Sequence, residues 1–207
     1  MTVRIGRVQP NGTLLTSLAA RGDMTQAIRA AAVVLIAALT ATAAQISVPL
    51  PFTPVPFTLQ PMIVLLGGAA LGSRLGMAGQ VLYLLAGIAG LPVFAASPVL
   101  PQGLLRLLGP TGGYLLSYPL AAFLTGALAA RGFDRRYGTS VAAMAAGLAV
   151  IFACGVCWLA WFAQPSSLGL DAAVRTGLYP FIPADILKIL IAAAVMPGLW
   201  TLTGRRF

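Results

Sequence analysis

The 207-residue chain has no histidine and no glutamate, a single lysine (Lys188), and charged side chains at only 8% of its positions. Without histidine there can be no Ser-His or Cys-His nucleophile, no imidazole proton relay and almost no zinc site. Lys188 follows Leu187 rather than glycine, so no G-x-x-x-x-G-K-[ST] phosphate loop exists. Any energy drawn from ATP must therefore come from another chain. Cysteine is scarce as well: Cys154 and Cys157 lie within one apolar run, where they cannot staple loops and read as core packing despite their redox-motif spacing.

What the chain has in abundance is apolar surface. Hydrophobic residues make up 59% of it and the mean hydropathy is +0.92, which excludes a soluble globular domain. A spanning helix needs about 20 apolar residues to cross roughly 30 Å of hydrocarbon, so the length accommodates about six such helices with short loops. The expected fold class is an all-α integral membrane protein, a six-transmembrane-helix bundle formed by residues 27–207 as one domain behind a polar cytoplasmic leader, residues 1–26.

The first span is expected over residues 27–46. Ala41-Thr42-Ala43 mimics a signal-peptidase site, but the long apolar core and the further spans behind it favour an uncleaved helix. Residues 47–61 hold five prolines and are expected to form a stiff, extended loop between the first two helices. Further helices are expected over 58–71, 76–91, 109–130, 139–162 and 180–202, with 92–108 and 164–177 left as loops.

The cations sort by side in this reading. Arg4, Arg7, Arg21, Arg29, Arg74, Arg131, Arg135, Arg136, Arg205 and Arg206 fall on one face, whereas Arg106, Arg175 and Lys188 fall in the other half. That asymmetry places both termini in the cytoplasm and assigns the basic excess to anionic lipid, not nucleic acid.

Among ionisable residues only Asp185 and Lys188 lie well inside an expected span, where a charge costs roughly 2.5 to 3.5 kcal/mol. Their i, i+3 spacing puts both on one helical face. They could be a self-neutralising pair that glues helices together, or part of a polar site in the outer half of the bundle. Arg106 is an isolated cation in an apolar loop, either solvated or the second cation of that site. Two cations facing one carboxylate suit an anionic ligand, and Asp185 remains an acceptor for amide-like N–H donors. The aromatic residues Phe52, Phe57, Phe94, Tyr114, Tyr179 and Phe181 cluster at the outer ends of spans, as an interface belt or as ligand-stacking groups. With one aspartate and no histidine in the spans, no acid/base pair, nucleophile or metal set exists, so an enzyme is not expected and no cofactor is implied.

Four strings occur in order: PLPFTPVPFTLQ at 49–60, YLLAGIAGLPVFA at 83–95, GPTGGY at 109–114 and DILK at 185–188. Together they resemble the BioY family, the membrane-embedded biotin-binding S components of energy-coupling factor (ECF) transporters. The resemblance spans about residues 27–203. It implies biotin held near the outer face and, as partners, a transmembrane coupling protein and two ATPase subunits. It further implies that Asp185, Lys188, Arg106, Gln60, Thr58, Tyr114, Gly112 and Phe94 contact the ligand, the loop ending at Gln60 acting as a cap. After Phe94, where another polar contact is expected, the chain has Ala95-Ala96-Ser97. Alternatives to a biotin-uptake subunit are an S component for another small carboxylated vitamin, or a self-sufficient proton-coupled carrier using Asp185. The expected location is the plasma or inner membrane of a prokaryote.

Overall fold

The computed structural model describes residues 26–96 and 102–202. Most of the leader, with Ser97, Arg205 and Arg206, thus lies outside the described residues. Eight helices occur in the described residues: α1 (Gln26–Gln45), α2 (Gln60–Leu71), α3 (Ser73–Ile88), α4 (Leu104–Leu108), α5 (Gly112–Ala130), α6 (Tyr137–Trp161), α7 (Leu170–Gly177) and α8 (Ile182–Leu202). Two short strands, β1 (Ser47–Val48) and β2 (Phe57–Thr58), pair antiparallel with Ser47 opposite Thr58 and Val48 opposite Phe57.

Proline accounts for this one departure from helix. It cannot donate a backbone hydrogen bond and biases its predecessor away from helical angles, so the proline-dense segment leaves α1 extended. β1 and β2 close that segment into a flap whose second strand delivers Thr58 and Gln60 to the start of α2.

Helices α1, α5, α6 and α8 are long and apolar enough to cross a membrane. At 12 and 16 residues, α2 and α3 rise only roughly 18 and 24 Å. They are separated by Gly72 alone, whose φ of 87° is a backbone angle that glycine adopts without penalty. The protein is therefore a helical, multi-pass membrane protein with four candidate spans by length and composition among the described residues.

The hub is α5, which packs against α2, α3, α4 and α6, while α8 packs on α2 and α6. Small residues permit these close approaches, since lipid tails offer no hydrophobic gain for helix association and tight backbone packing must supply it. A Cβ added at Gly68 would collide with the Ala122 carbonyl, and one at Gly126 would lie 2.5 Å from the Gly72 carbonyl carbon.

Two stretches read as loops carry helices instead. Within 164–177, α7 begins after Gly169 and is supported by an exposed i, i+4 ion pair, Arg175 Nε to Asp171 Oδ2 at 3.0 Å. Its mixed polarity hid it from a search for apolar runs. Within 92–108, α4 carries Arg106 into the protein, where it is 2% exposed, so the solvated-loop alternative for this arginine is wrong.

Candidate functional site

The DILK string lies one turn into α8, where i, i+3 spacing aims both charges at α2 and the flap. Lys188 Nζ donates to Asp185 Oδ1 at 2.6 Å and to the Thr58 carbonyl at 2.5 Å, and it sits 3.7 Å from the centre of the Phe57 ring. The two side chains are 8% and 5% exposed. An ammonium taken out of water needs its donors filled, and a carboxylate, a carbonyl and an aromatic face together supply that. Because two of these partners belong to β2, the charge on α8 also fastens the flap.

Above this pair lies a cleft of about 600 Å³ of non-atom space, counted out to its mouth. The flap and the start of α2 give it Val55, Pro56, Thr58, Gln60 and Pro61. From α4 and the chain before it come Arg106 and Ala95, and α5 adds Thr111 at its N-cap, Tyr114, Leu115 and Tyr118. The remaining wall is Ile151 and Phe152 of α6 with Phe181, Asp185 and Lys188 around α8. Five separate chain segments thus converge on one partly open space, mostly apolar with a few convergent polar groups, the usual form of a small-molecule site.

Arg106 donates from Nη2 to the Ala95 carbonyl. After Phe94, where the sequence places Ala95-Ala96-Ser97 at an expected polar contact, the Ala95 carbonyl accepts from Arg106, and Ser97 lies outside the described residues. Gln60 donates from Nε2 to the Tyr83 hydroxyl at 2.6 Å, and Tyr114 donates to the Gly177 carbonyl at 2.8 Å, tying α5 to the end of α7. Thr111 Oγ1 is buried with no protein hydrogen-bond partner. Such a group costs roughly 1 to 3 kcal/mol unless something completes it.

Of the eight residues singled out from sequence, six line the cleft: Asp185, Lys188, Arg106, Gln60, Thr58 and Tyr114. Two support it from behind. Phe94, 1% exposed, packs edge-on against Tyr83 with ring centres 5.6 Å apart and covers Gly87, where any side chain would displace its ring. Gly112 lets the start of α5 press against the Leu107 carbonyl and the Trp158 indole. Sequence reasoning missed Tyr118, Thr111, Ile151 and Phe152 as lining residues, and Tyr83 as the partner of Gln60. Thr111 lay inside the GPTGGY string and Tyr83 opens the YLLAGIAGLPVFA string, so both could have been found there, whereas the others sit in ordinary apolar helix with no local signal.

A multi-pass helical membrane protein with a cleft that holds a buried charge pair among apolar walls fits the class that captures or moves small molecules across a bilayer. Within that class the chain belongs to the BioY family, whose pattern matches residues 16–205. A Pyrococcus horikoshii protein named a probable biotin transporter BioY is 41% identical over 167 residues, covering 81% of this chain and 93% of its own. The biotin transporter BioY of Thermotoga maritima is 38% identical over 158 residues, covering 76% and 87%. A crystal structure of the S-component for biotin from an ECF-type ABC transporter superposes with a TM-score of 0.72 at 23% identity, covering 86% of this chain and 95% of that one. The last likeness is one of fold. The matched relatives are named transporters, which agrees with the expectation that the chain is not an enzyme.

Proposed function

We propose that the chain is the biotin-binding and uptake subunit, the S component, of an ECF-type vitamin transporter. The observation that carries this reading is the buried Lys188–Asp185 pair on the wall of a cleft that also holds Arg106. Two cations and one carboxylate leave an excess positive charge for the valerate carboxylate of biotin. Asp185 keeps acceptor capacity for ureido N–H donors, as does the free Thr111 hydroxyl. Tyr114, Tyr118, Phe152 and Phe181 provide the apolar walls for the rings and the chain between those ends.

In this reading α1, α2, α3, α5, α6 and α8 make up a six-helix bundle with both termini in the cytoplasm of a prokaryote, the pair α2–α3 crossing as short helices. The proline-rich flap caps the site. A transmembrane coupling protein and two ATPase subunits supply the energy, because the chain has no phosphate loop of its own. A self-sufficient proton-coupled carrier is disfavoured by geometry: Lys188 holds Asp185 Oδ1 at 2.6 Å, whereas a proton carrier needs a carboxylate that cycles freely.

Calorimetric titration of the detergent-solubilised chain with biotin, without ATP, tests the reading. Saturable one-site binding supports it. No heat and no saturation, with the protein shown to be folded, would sink it.

A further inference from the structure

On the opposite edge of the molecule from the flap, the six residues 131–136 connect two membrane-spanning helices, α5 and α6. They surround a hollow of about 660 Å³ of non-atom space, counted out to its mouth, lined by Arg131, Gly132, Phe133, Arg135, Arg136 and Thr139. Three arginines therefore border one concavity at the level where a spanning hairpin leaves the hydrocarbon.

The local fold keeps that concavity cationic. Asp134, the connector's one carboxylate, is 1% exposed and is not among the residues lining the hollow; it accepts a 2.7 Å hydrogen bond at Oδ2 from the Trp200 indole of α8. Burial pushes its carboxyl above the usual range, against the opposing pull of that indole N–H and of Arg135. Arg135 is braced over the same indole, 5.6 Å from the ring centre. Its guanidinium also runs beside Gly132, where φ is 92° and a Cβ would sit 3.6 Å from Nε. Arg131 and Arg136 stay exposed on either side. Thr139 Oγ1 donates to the Arg136 carbonyl at 3.0 Å, and the exposed side-chain donors at the hollow are those of Arg131 and Arg136. Phe133 and the exposed Tyr137 flank them, aromatic groups suited to the interface between headgroup and acyl chain.

From this arrangement we infer that the connector hollow is a binding site for the phosphodiester of an anionic lipid headgroup such as phosphatidylglycerol. Planar guanidinium groups bind phosphate oxygens in pairs, and a hollow at this depth meets lipid phosphate before any soluble anion. The inference rests on the multi-pass membrane fold and not on the identity of the cleft's ligand.

The melting midpoint of the purified chain, measured in phosphatidylcholine micelles with and without phosphatidylglycerol, tests the inference. Phosphatidylglycerol should raise the midpoint by at least about 2 °C. Arg131→Gln combined with Arg136→Gln should abolish that rise while leaving the midpoint in phosphatidylcholine unchanged. A charge-matched control, Arg29→Gln with Arg74→Gln, removes two exposed arginines elsewhere and should keep the rise. An equal loss in the control would overturn the site in favour of diffuse surface charge. An equal rise from soluble glycerol phosphate would overturn the lipid as ligand, and no rise in the wild-type chain would overturn both.

Discussion

Two ion pairs, one on α7 and one on α8, share a chemistry and differ in consequence. Asp171 and Arg175 meet at 3.0 Å on α7 with side chains 80% and 70% exposed, while Asp185 and Lys188 meet at 2.6 Å on α8 with side chains 5% and 8% exposed. Both pairs follow helical spacing, i, i+4 in the first and i, i+3 in the second, and each joins an aspartate to a cation. Surroundings set them apart. Water screens the first pair and satisfies either partner alone, which leaves such a pair worth about 0 to 1 kcal/mol. The second has no water to fall back on, and losing one partner strands the other in a low-dielectric interior.

The sharpest way to break this contrast is Lys188→Ala. Ligand affinity should fall by about 2 to 5 kcal/mol, the cost of truncating one partner of a buried charge pair. If the stranded carboxylate unfolds the protein, the double variant Lys188→Met with Asp185→Asn removes both charges. It should fold by thermal melting and still fail to bind in calorimetry. Wild-type affinity in that double variant would leave the pair as helix glue.

Next in size is a change made to the ligand instead of the protein. Biotinyl amides such as biocytin lack the free valerate carboxylate, so titration should show binding weaker by about 1.5 to 3 kcal/mol, one lost charge-assisted hydrogen bond. Equal affinity for acid and amide would mean that neither Lys188 nor Arg106 holds the carboxylate.

Thr111→Val probes the cleft where no charge is involved. It removes the buried hydroxyl that no protein group completes and should weaken binding by about 0.5 to 1.5 kcal/mol with little loss of thermal stability. Unchanged affinity would show that the ligand does not reach the N-cap of α5.

The smallest effect belongs to the exposed pair. Arg175→Ala should leave ligand binding unchanged and shift stability by no more than about 0.5 kcal/mol, a shift that added salt should erase in the wild-type chain. A binding loss comparable to that of Lys188→Ala would end the distinction between the two pairs.

Legibility from sequence followed the same divide between local and assembled information. Asp185 and Lys188 stood out because a charge within an apolar run is costly wherever the run folds, and Arg106 stood out as a lone cation among leucines. Helix α7 went unseen because its pattern is amphipathic, so a search tuned to apolar length passes over it. Tyr118, Ile151 and Phe152 carry no local mark, since an aromatic or aliphatic side chain in a spanning helix looks the same whether it faces lipid, core or cleft. The fate of Arg106 was equally undecided: buried and solvated arginines are identical in one dimension, and only the fold-back of α4 onto Ala95 chose between them.

By itself the sequence determined the class of protein. Its apolar excess demanded a membrane, its lack of histidine removed histidine-based nucleophiles and relays, its lack of a phosphate loop removed ATP hydrolysis by that route, and its ordered motifs marked the family. The tertiary structure alone decided which residues share the cleft, because α2, α4, α5, α6, α8 and the flap are brought together only by close packing at small residues such as Gly68 and Gly126. It also decided what encloses the buried pair, a carbonyl and an aromatic ring brought over by the flap. Burial is a property of the assembled bundle, and it is burial that turns an ordinary i, i+3 pair into a site.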